Sequence, residues 1–169
     1  MATETRNSTA AAQKKNGNVQ LLTFKLDDQE YALDIANVVQ VVRMVALTRP
    51  PKAPEYVEGM FNLRGKVIPV IDVRRRYGLP AKPYDLDTQL LIATTNDRTL
   101  AIMVDEVSEV LTLSMDSIEP PEAIGPELAY LSAVGKVDDR LILILDPDTL
   151  MANPAERLRP IEKIEMATA

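Results

Sequence analysis

Along residues 22–26 apolar and polar positions alternate, with Leu22, Phe24 and Leu26 set against Thr23 and Lys25, the period of a strand with one buried face. The alternation resumes at Tyr31, Leu33 and Ile35 after the turn residues Asp27, Asp28 and Gln29, so residues 19–34 read as a β-hairpin. Asp34 is placed to cap a short helix over residues 36–39, and residues 41–45 read as the next strand. The prolines between Thr48 and Pro54 hold that stretch extended, because proline fixes its own φ and restricts the residue before it. Pro54 then suits the first turn of a short helix over residues 55–58, which Gly59 closes.

Residues 60–71 read as two strands joined at Arg64 and Gly65, with Gly65 supplying a positive φ. Pro69 lies inside the second of them, which predicts an edge or a bulge. Asp72 caps a helix over residues 73–77 that Gly78 stops, and residues 79–87 form a proline-containing loop. Residues 89–94 and 100–104 flank Asn96, Asp97 and Arg98 as a hairpin, and a strand follows over residues 107–113. Residues 114–132, with Pro120, Pro121 and Pro126, read as a long irregular excursion. A last hairpin joins residues 134–137 to 141–145 across Asp138, Asp139 and Arg140. Asp146 and Pro147 begin one short helix and residues 153–156 another. Roughly nine or ten short strands with only short helices between them predict small closed barrels, which leave few exposed edges. No repeat recurs at a fixed period, a pattern that interleaved barrels would also give.

Composition narrows the chemistry. Of 169 residues, 46% are apolar but only 4% aromatic, so the core is built from Val, Ile, Leu and Met. The absence of cysteine excludes disulfides, thiol redox chemistry and thiolate metal sites, and the absence of histidine removes the usual acid/base and metal ligand. A net charge of −6 disfavours nucleic acid as a partner. Residues 1–18 are small and polar, which predicts a disordered leader without the apolar run of a signal peptide. No window approaches the roughly 20 apolar residues of a membrane span.

Candidate sites for chemistry are few. Asp27 with Asp28 and Asp138 with Asp139 resemble metal ligands only until their hairpin positions are noticed, where Asp is favoured for the turn. Arg74, Arg75 and Arg76 read as the solvated face of a short amphipathic helix. No phosphate-binding loop, nucleophile elbow or catalytic carboxylate pair is found. A ligand-binding barrel or a carboxylate enzyme would have to use Asp72 or Asp105.

The run from Pro54 to Asp72, with Asn62-Leu63-Arg64-Gly65 followed by Ile68-Pro69-Val70-Ile71-Asp72, closely resembles the signature of the CheW family. Residues 100–107 are similar to that family's hairpin return, and residues 134–146 to its closing strand pair. The resemblance spans residues 19–152, leaving the leader 1–18 and a C-terminal helix or tail over 153–169. It implies a mainly β fold of two five-stranded SH3-like β-barrels, interleaved in sequence and packed side by side with a few short helices. It implies a non-enzymatic chemotaxis adaptor, without cofactor or metal, that couples methyl-accepting chemoreceptors to the histidine kinase CheA in a chemosensory array. A receptor's cytoplasmic hairpin tip would lie in the groove between the barrels. The regulatory domain of CheA would dock on a barrel end, and such pairing could continue into rings. The expected location is cytoplasmic, with recruitment to membrane-associated arrays but no insertion. No receiver, phosphotransfer or ATP-binding domain flanks the match, which favours a stand-alone adaptor.

The resemblance places the receptor contact at Val38, Asn62, Arg64 and Gly65, and the kinase contact at Gln40, Val41 and Val42. Arg64 at a hairpin tip offers a guanidinium to a partner. Asn62 and Gly65 beside it also have an architectural reading, as a self-bonding turn residue and a source of positive φ. Two positions depart from the family. Gln40 stands where a Glu is common, which removes any salt bridge made there, and Ala133 stands where Gly is frequent, which alters a backbone angle.

Overall fold

The structure, a computed structural model, describes residues 17–95, 98–125 and 131–151. Among these, β1 (Asn18–Leu26), β2 (Gln29–Asp34), β8 (Glu106–Ser114), β9 (Ile118–Glu119), β10 (Leu131–Val137) and β11 (Arg140–Leu145) form the first sheet, in the order β8-β1-β2-β11-β10-β9. The second sheet is β3 (Val38–Arg43), β4 (Val57–Leu63), β5 (Lys66–Ile71), β6 (Gln89–Thr94) and β7 (Thr99–Val104), in the order β3-β6-β7-β5-β4. Helix α1 (Val73–Arg76) follows β5, and α2 (Pro147–Met151) follows β11. The two-barrel fold expected from the sequence holds, with the short strand β9 added at one end. The first sheet is closed by the two ends of the chain and the second is inserted between them.

The two sheets share one plan. In each, an edge strand (β3 or β8) pairs with a hairpin (β6-β7 or β1-β2), whose second strand runs parallel to the next (β5 or β11) and that strand pairs antiparallel with β4 or β10. Even the irregularities match, since the register slips between Val57 and Gly59 in one and between Leu131 and Ala133 in the other. Strands β5 and β11 have the same burial sequence along their six residues, and Asp72 and Asp146 cap the helix that follows each. Because the matching strands occur in a permuted order, no fixed period is visible in the sequence.

Strands β6, β7 and β11 are apolar on both faces, as expected of strands buried on both sides. One face of each supplies a cluster private to its own sheet, around Ile68, Leu90 and Ile92 in one and Leu21, Leu113 and Ile142 in the other. The other face supplies a shared core in which Phe24, Leu33, Leu91, Ile102, Val73 and Leu145 meet. Phe24 stacks on Tyr31 at a centroid distance of 5.9 Å, one of few ring contacts in an aliphatic interior.

Several local expectations are corrected. The helix over 36–39 is a single 3-10 turn, Ile35–Asn37, capped by Asp34, whose carboxylate accepts from the Ala36 N–H at 3.0 Å. The strand starts at Val38 and ends at Arg43 rather than running over 41–45, because Val38 pairs with Ala93 and a β-branched run gains more from the sheet than from a helix. No helix occupies 55–58: the Val57 N–H closes a turn onto the Pro54 carbonyl at 2.9 Å, and β4 begins there. Burial of Tyr56 and Val57 in the shared core overrides the helix-start signal. Gly59 therefore caps nothing. Thr48 and Met60 exchange backbone bonds of 2.9 and 2.8 Å beside it, and a Cβ at Gly59 would sit 2.9 Å from Leu47 Cβ.

Pro69 is not on an edge strand, since β5 lies between β4 and β7. Its pairing with β7 begins only at Val70, so the missing N–H breaks no bond on that side. The excursion over 114–132 is partly regular, containing the 3-10 turns Met115–Ser117 and Pro121–Ala123 and strand β9. Asn18, assigned to the leader, is the first residue of β1. The rest of the leader through Asn16, the turn residues Asn96 and Asp97, and the helix and tail over 153–169 lie outside the described residues.

The arginine run is the largest correction, because only Arg75 of the three is a solvated side chain. Arg74 is buried, with its guanidinium held by both oxygens of Asp27 and by Asp105 at 2.7 Å. Arg76 lies over the Tyr56 ring at 5.1 Å and donates to the Thr149 and Leu150 carbonyls, tying α1 to the end of α2.

Candidate functional site

Strand β3 is the edge of the second sheet, and it carries four of the seven residues singled out from the sequence. Successive side chains of a strand point to opposite faces. Val38, Gln40 and Val42 accordingly turn inward and are half-buried, while Val39, Val41 and Arg43 face solvent. Val38 packs on the shared core and Val42 on the private core of its sheet. The trio Gln40, Val41 and Val42 does not share a face, and of the three only Val41 is an exposed apolar side chain. Val39, 52% exposed, forms the outer stripe with Val41. The register of β3 on β6 slips between Val38 and Gln40, while inward and outward side chains keep alternating along the whole strand.

Arg64 and Gly65 occupy the two-residue turn between β4 and β5, both at positive φ, 54° and 87°. That is the geometry of the tight turn whose twist suits a hairpin, and Gly65 meets it without strain. Asn62 accepts the Gly65 N–H at 2.7 Å, so it builds the turn that presents Arg64. The Arg64 side chain is exposed and makes no ion pair with any described residue. Lys66, next along β5, donates to the Thr99 hydroxyl at 2.9 Å, which holds the β4-β5 tip against the turn between β6 and β7.

A groove of about 600 Å³ opens between the two sheets. The first sheet lines it with Val19, Leu21, Ala133 and Ile144, and the second side contributes Asn37 and Thr95. Asn37 adjoins Val38 and donates to the Thr94 carbonyl at 3.0 Å, so the same 3-10 turn that starts β3 forms the groove wall. Ala133 therefore sits in the groove, at the bulge that corresponds to Gly59 in the other sheet. Val38 follows Asn37 in the chain but packs on the shared core, and neither it nor Arg64 lines the groove, whereas Val39 and Val41 face away from the sheet core at its open edge.

The carboxylates considered for chemistry are occupied structurally. Asp72 is buried, accepts the Arg74 N–H at 3.0 Å as a helix cap and lies 3.4 Å from the Arg75 guanidinium. Asp105 accepts from the Asp27 N–H at 2.8 Å and from Arg74. Burial opposes its ionisation, but the Asp27 N–H and the Arg74 guanidinium outweigh that and hold it below the usual carboxylate range. Asp27 is lowered too, chiefly by its hydrogen bonds from Arg74, while Asp27 in turn pushes the Arg74 guanidinium further up. This cluster joins the β1-β2 turn of one sheet to α1 and the end of β7 in the other, and sequence reading missed it. Among the described residues no group of acidic side chains is arranged to hold a metal ion, and no helix is long and apolar enough to cross a membrane.

Comparison with known proteins agrees with this geometry. The family model of the CheW-like domain matches residues 20–155. The chemotaxis protein CheW of Helicobacter pylori is 33% identical over 152 residues, covering 88% of this chain and 92% of that protein. The chemotaxis protein CheW of Bacillus subtilis is 30% identical over 142 residues, covering 83% and 90%. The crystal structure of the scaffolding protein TtCheW from Thermoanaerobacter tengcongensis superposes with a TM-score of 0.70 at 36% identity, over 76% of this chain and 88% of that one.

Proposed function

The chain belongs to the CheW-like domain family, and on that premise we propose that it is a chemotaxis adaptor coupling methyl-accepting chemoreceptors to the histidine kinase CheA. The observation that carries the reading is strand β3, one element with two differently used faces. Its inward side packs Val38 on the shared core, directly after Asn37, which lines the groove between the sheets. Its outward side, Val39 and Val41, is an apolar stripe on an open sheet edge. Apolar side chains at an edge strand invite a partner unless they are covered.

In this reading the receptor's cytoplasmic hairpin tip occupies the groove, with Val38 and Arg64 at its border and Asn62 and Gly65 shaping the turn that presents Arg64. The regulatory domain of CheA docks on the β3 edge, where Val41 and Val39 supply the contact and Gln40 and Val42 support the strand from within. Gln40 carries no carboxylate, so β3 offers no salt bridge from that position. Pairing at both ends of the molecule would allow rings to form with the kinase. Coupling is then linkage: a receptor state that shifts β3 changes the affinity of its outer face, and the kinase reports that difference. The protein works in the cytoplasm at membrane-associated arrays, and its partners rather than a reactive cleft carry the output.

The test separates the two faces. Arg64→Glu should release the protein from receptor-containing membranes while a CheA regulatory domain still captures it, and Val41→Asp should do the reverse. Both variants should keep the native circular dichroism spectrum. Retention of both partners by both variants would refute the assignment.

A further inference from the structure

A thioether sulfur stands on the wall of the groove between the sheets. Met115 opens the 3-10 turn Met115–Ser117 and lines the groove together with Val19, Leu21, Ile118 and Ile144. Its backbone is fixed there, since the Met115 N–H donates to the Gly17 carbonyl at 2.7 Å and the Ser114 hydroxyl accepts the Asp116 N–H at 3.2 Å. Its side chain belongs to none of the three apolar clusters and is 44% exposed. The other methionines whose side chains are described are covered: Met103 is buried in the private core of the second sheet, Met44 packs against that core, and Met60 on β4 is half-buried. The chain has no cysteine, so no thiol of its own intercepts an oxidant before the thioethers do.

We infer that Met115 is an oxidative modification site, at which a hydroperoxide converts the thioether to the sulfoxide and so weakens the groove's hold on its partner. This rests on the receptor reading above and adds to it a reversible control by oxidants. In the step, a sulfur lone pair attacks the terminal oxygen of the hydroperoxide, forming an S–O bond as the O–O bond breaks. Sulfur gives up two electrons, and the departing hydroxide or alkoxide takes the proton of the transferred hydroxyl and leaves as water or alcohol. An apolar side chain thereby becomes a polar hydrogen-bond acceptor. The groove offers that oxygen little in return: its lining holds the carboxylates of Asp34, Asp146 and Asp148 but, among the described residues, no Lys or Arg. The Asn37 amide on the same lining already donates to the Thr94 carbonyl at 3.0 Å. A partner that closes over Met115 would therefore bury an acceptor without a donor, which costs affinity. Because the side chain lies outside the cores, the sulfoxide leaves the fold intact, and methionine sulfoxide reductases reverse the change.

The experiment treats the purified full chain with hydrogen peroxide, removes the oxidant, locates sulfoxides by peptide mass mapping and measures affinity for a purified receptor cytoplasmic hairpin. The reading is the ratio of affinities before and after treatment, taken for the native protein and for Met115→Leu. Mapping should find Met115 oxidised at doses that spare Met103. The native protein should then bind about tenfold more weakly, with an unchanged circular dichroism spectrum, and reductase treatment should restore it. Met115→Leu should show a ratio near one, and Met115→Gln, which places a polar side chain there permanently, should bind weakly without peroxide. If Met115 is fully converted and the native affinity does not move, or if Met115→Leu loses affinity as the native protein does, the inference is refuted and the receptor reading survives. Oxidation of Met103 ahead of Met115 would refute it as well. If the untreated native protein does not bind the hairpin at all, the receptor reading falls, and this inference with it.

Discussion

The β4-β5 tip and the β10-β11 tip occupy the same place in the two sheets, yet they are used differently. Arg64 and Asp138 lead their turns at the same φ of 54°. After the first turn comes Lys66, which holds only a neutral hydroxyl, and after the second comes Arg140, which pairs with Glu30 at 2.9 Å. Asp tolerates the left-handed region, whereas a left-handed Arg costs about 1 kcal/mol. One tip thus closes its charges within the molecule, and the other keeps on display a strained cation that pairs with no acid among the described residues. Duplicated architecture fixes where a tip can project, and the side chains then decide whether it serves the fold or a partner.

The largest test of that comparison lies where the two sheets stop being separate. Phe24→Ala empties the shared core and should cost about 3–5 kcal/mol, with both sheets melting in one transition. Two separate transitions in calorimetry would show the sheets to be independent. Next, the corresponding bulge positions differ in the room they leave. Gly59→Ala forces a Cβ within 3.0 Å of the Thr48 carbonyl and should cost about 1–3 kcal/mol in denaturant titration. Ala133→Gly should cost only about 0.5–1 kcal/mol, through chain entropy.

A smaller effect, with a pH signature, comes from the ion cluster between the sheets. Asp27 and Asp105 are held below their ordinary value of 3.8, so their contribution is complete above that value and is lost as pH falls through the depressed native values. Arg74→Met should cost about 1 kcal/mol near neutral pH, a figure kept low by solvent screening of exposed partners. The variant should also lose part of the native protein's fall in stability below about pH 4. An unchanged acid profile would contradict the cluster's role. Smallest, and of opposite sign, Arg64→Asn creates the preferred Asn-Gly turn and should raise stability by less than about 1 kcal/mol while weakening receptor binding. A variant that gained neither stability nor a binding defect would erase the contrast between the tips.

Much of this was legible in the chain because it is local. Asp27-Asp28, Arg64-Gly65 and Asp138-Asp139 announce their turns, alternation in β1 and β2 shows the buried face, and Asp72 and Asp146 mark the helices they cap. What was not legible depends on partners distant in sequence. Arg74 looks solvated because Asp27 and Asp105 lie 47 and 31 residues away, and the helix signal at Pro54 fails because Tyr56 is drawn into a core assembled from both sheets. At the site, the Arg64 tip could be read from its turn residues. The division of β3 into an inner and an outer face could not, because the run is valine on both faces and only packing on the two cores shows which side is buried.

The most direct test of the central claim is reconstitution of kinase and receptor with and without this protein, following autophosphorylation of CheA. The account predicts that receptor control of the kinase appears only when the chain is present and is lost with either Arg64→Glu or Val41→Asp. Equal receptor control in its absence would contradict it.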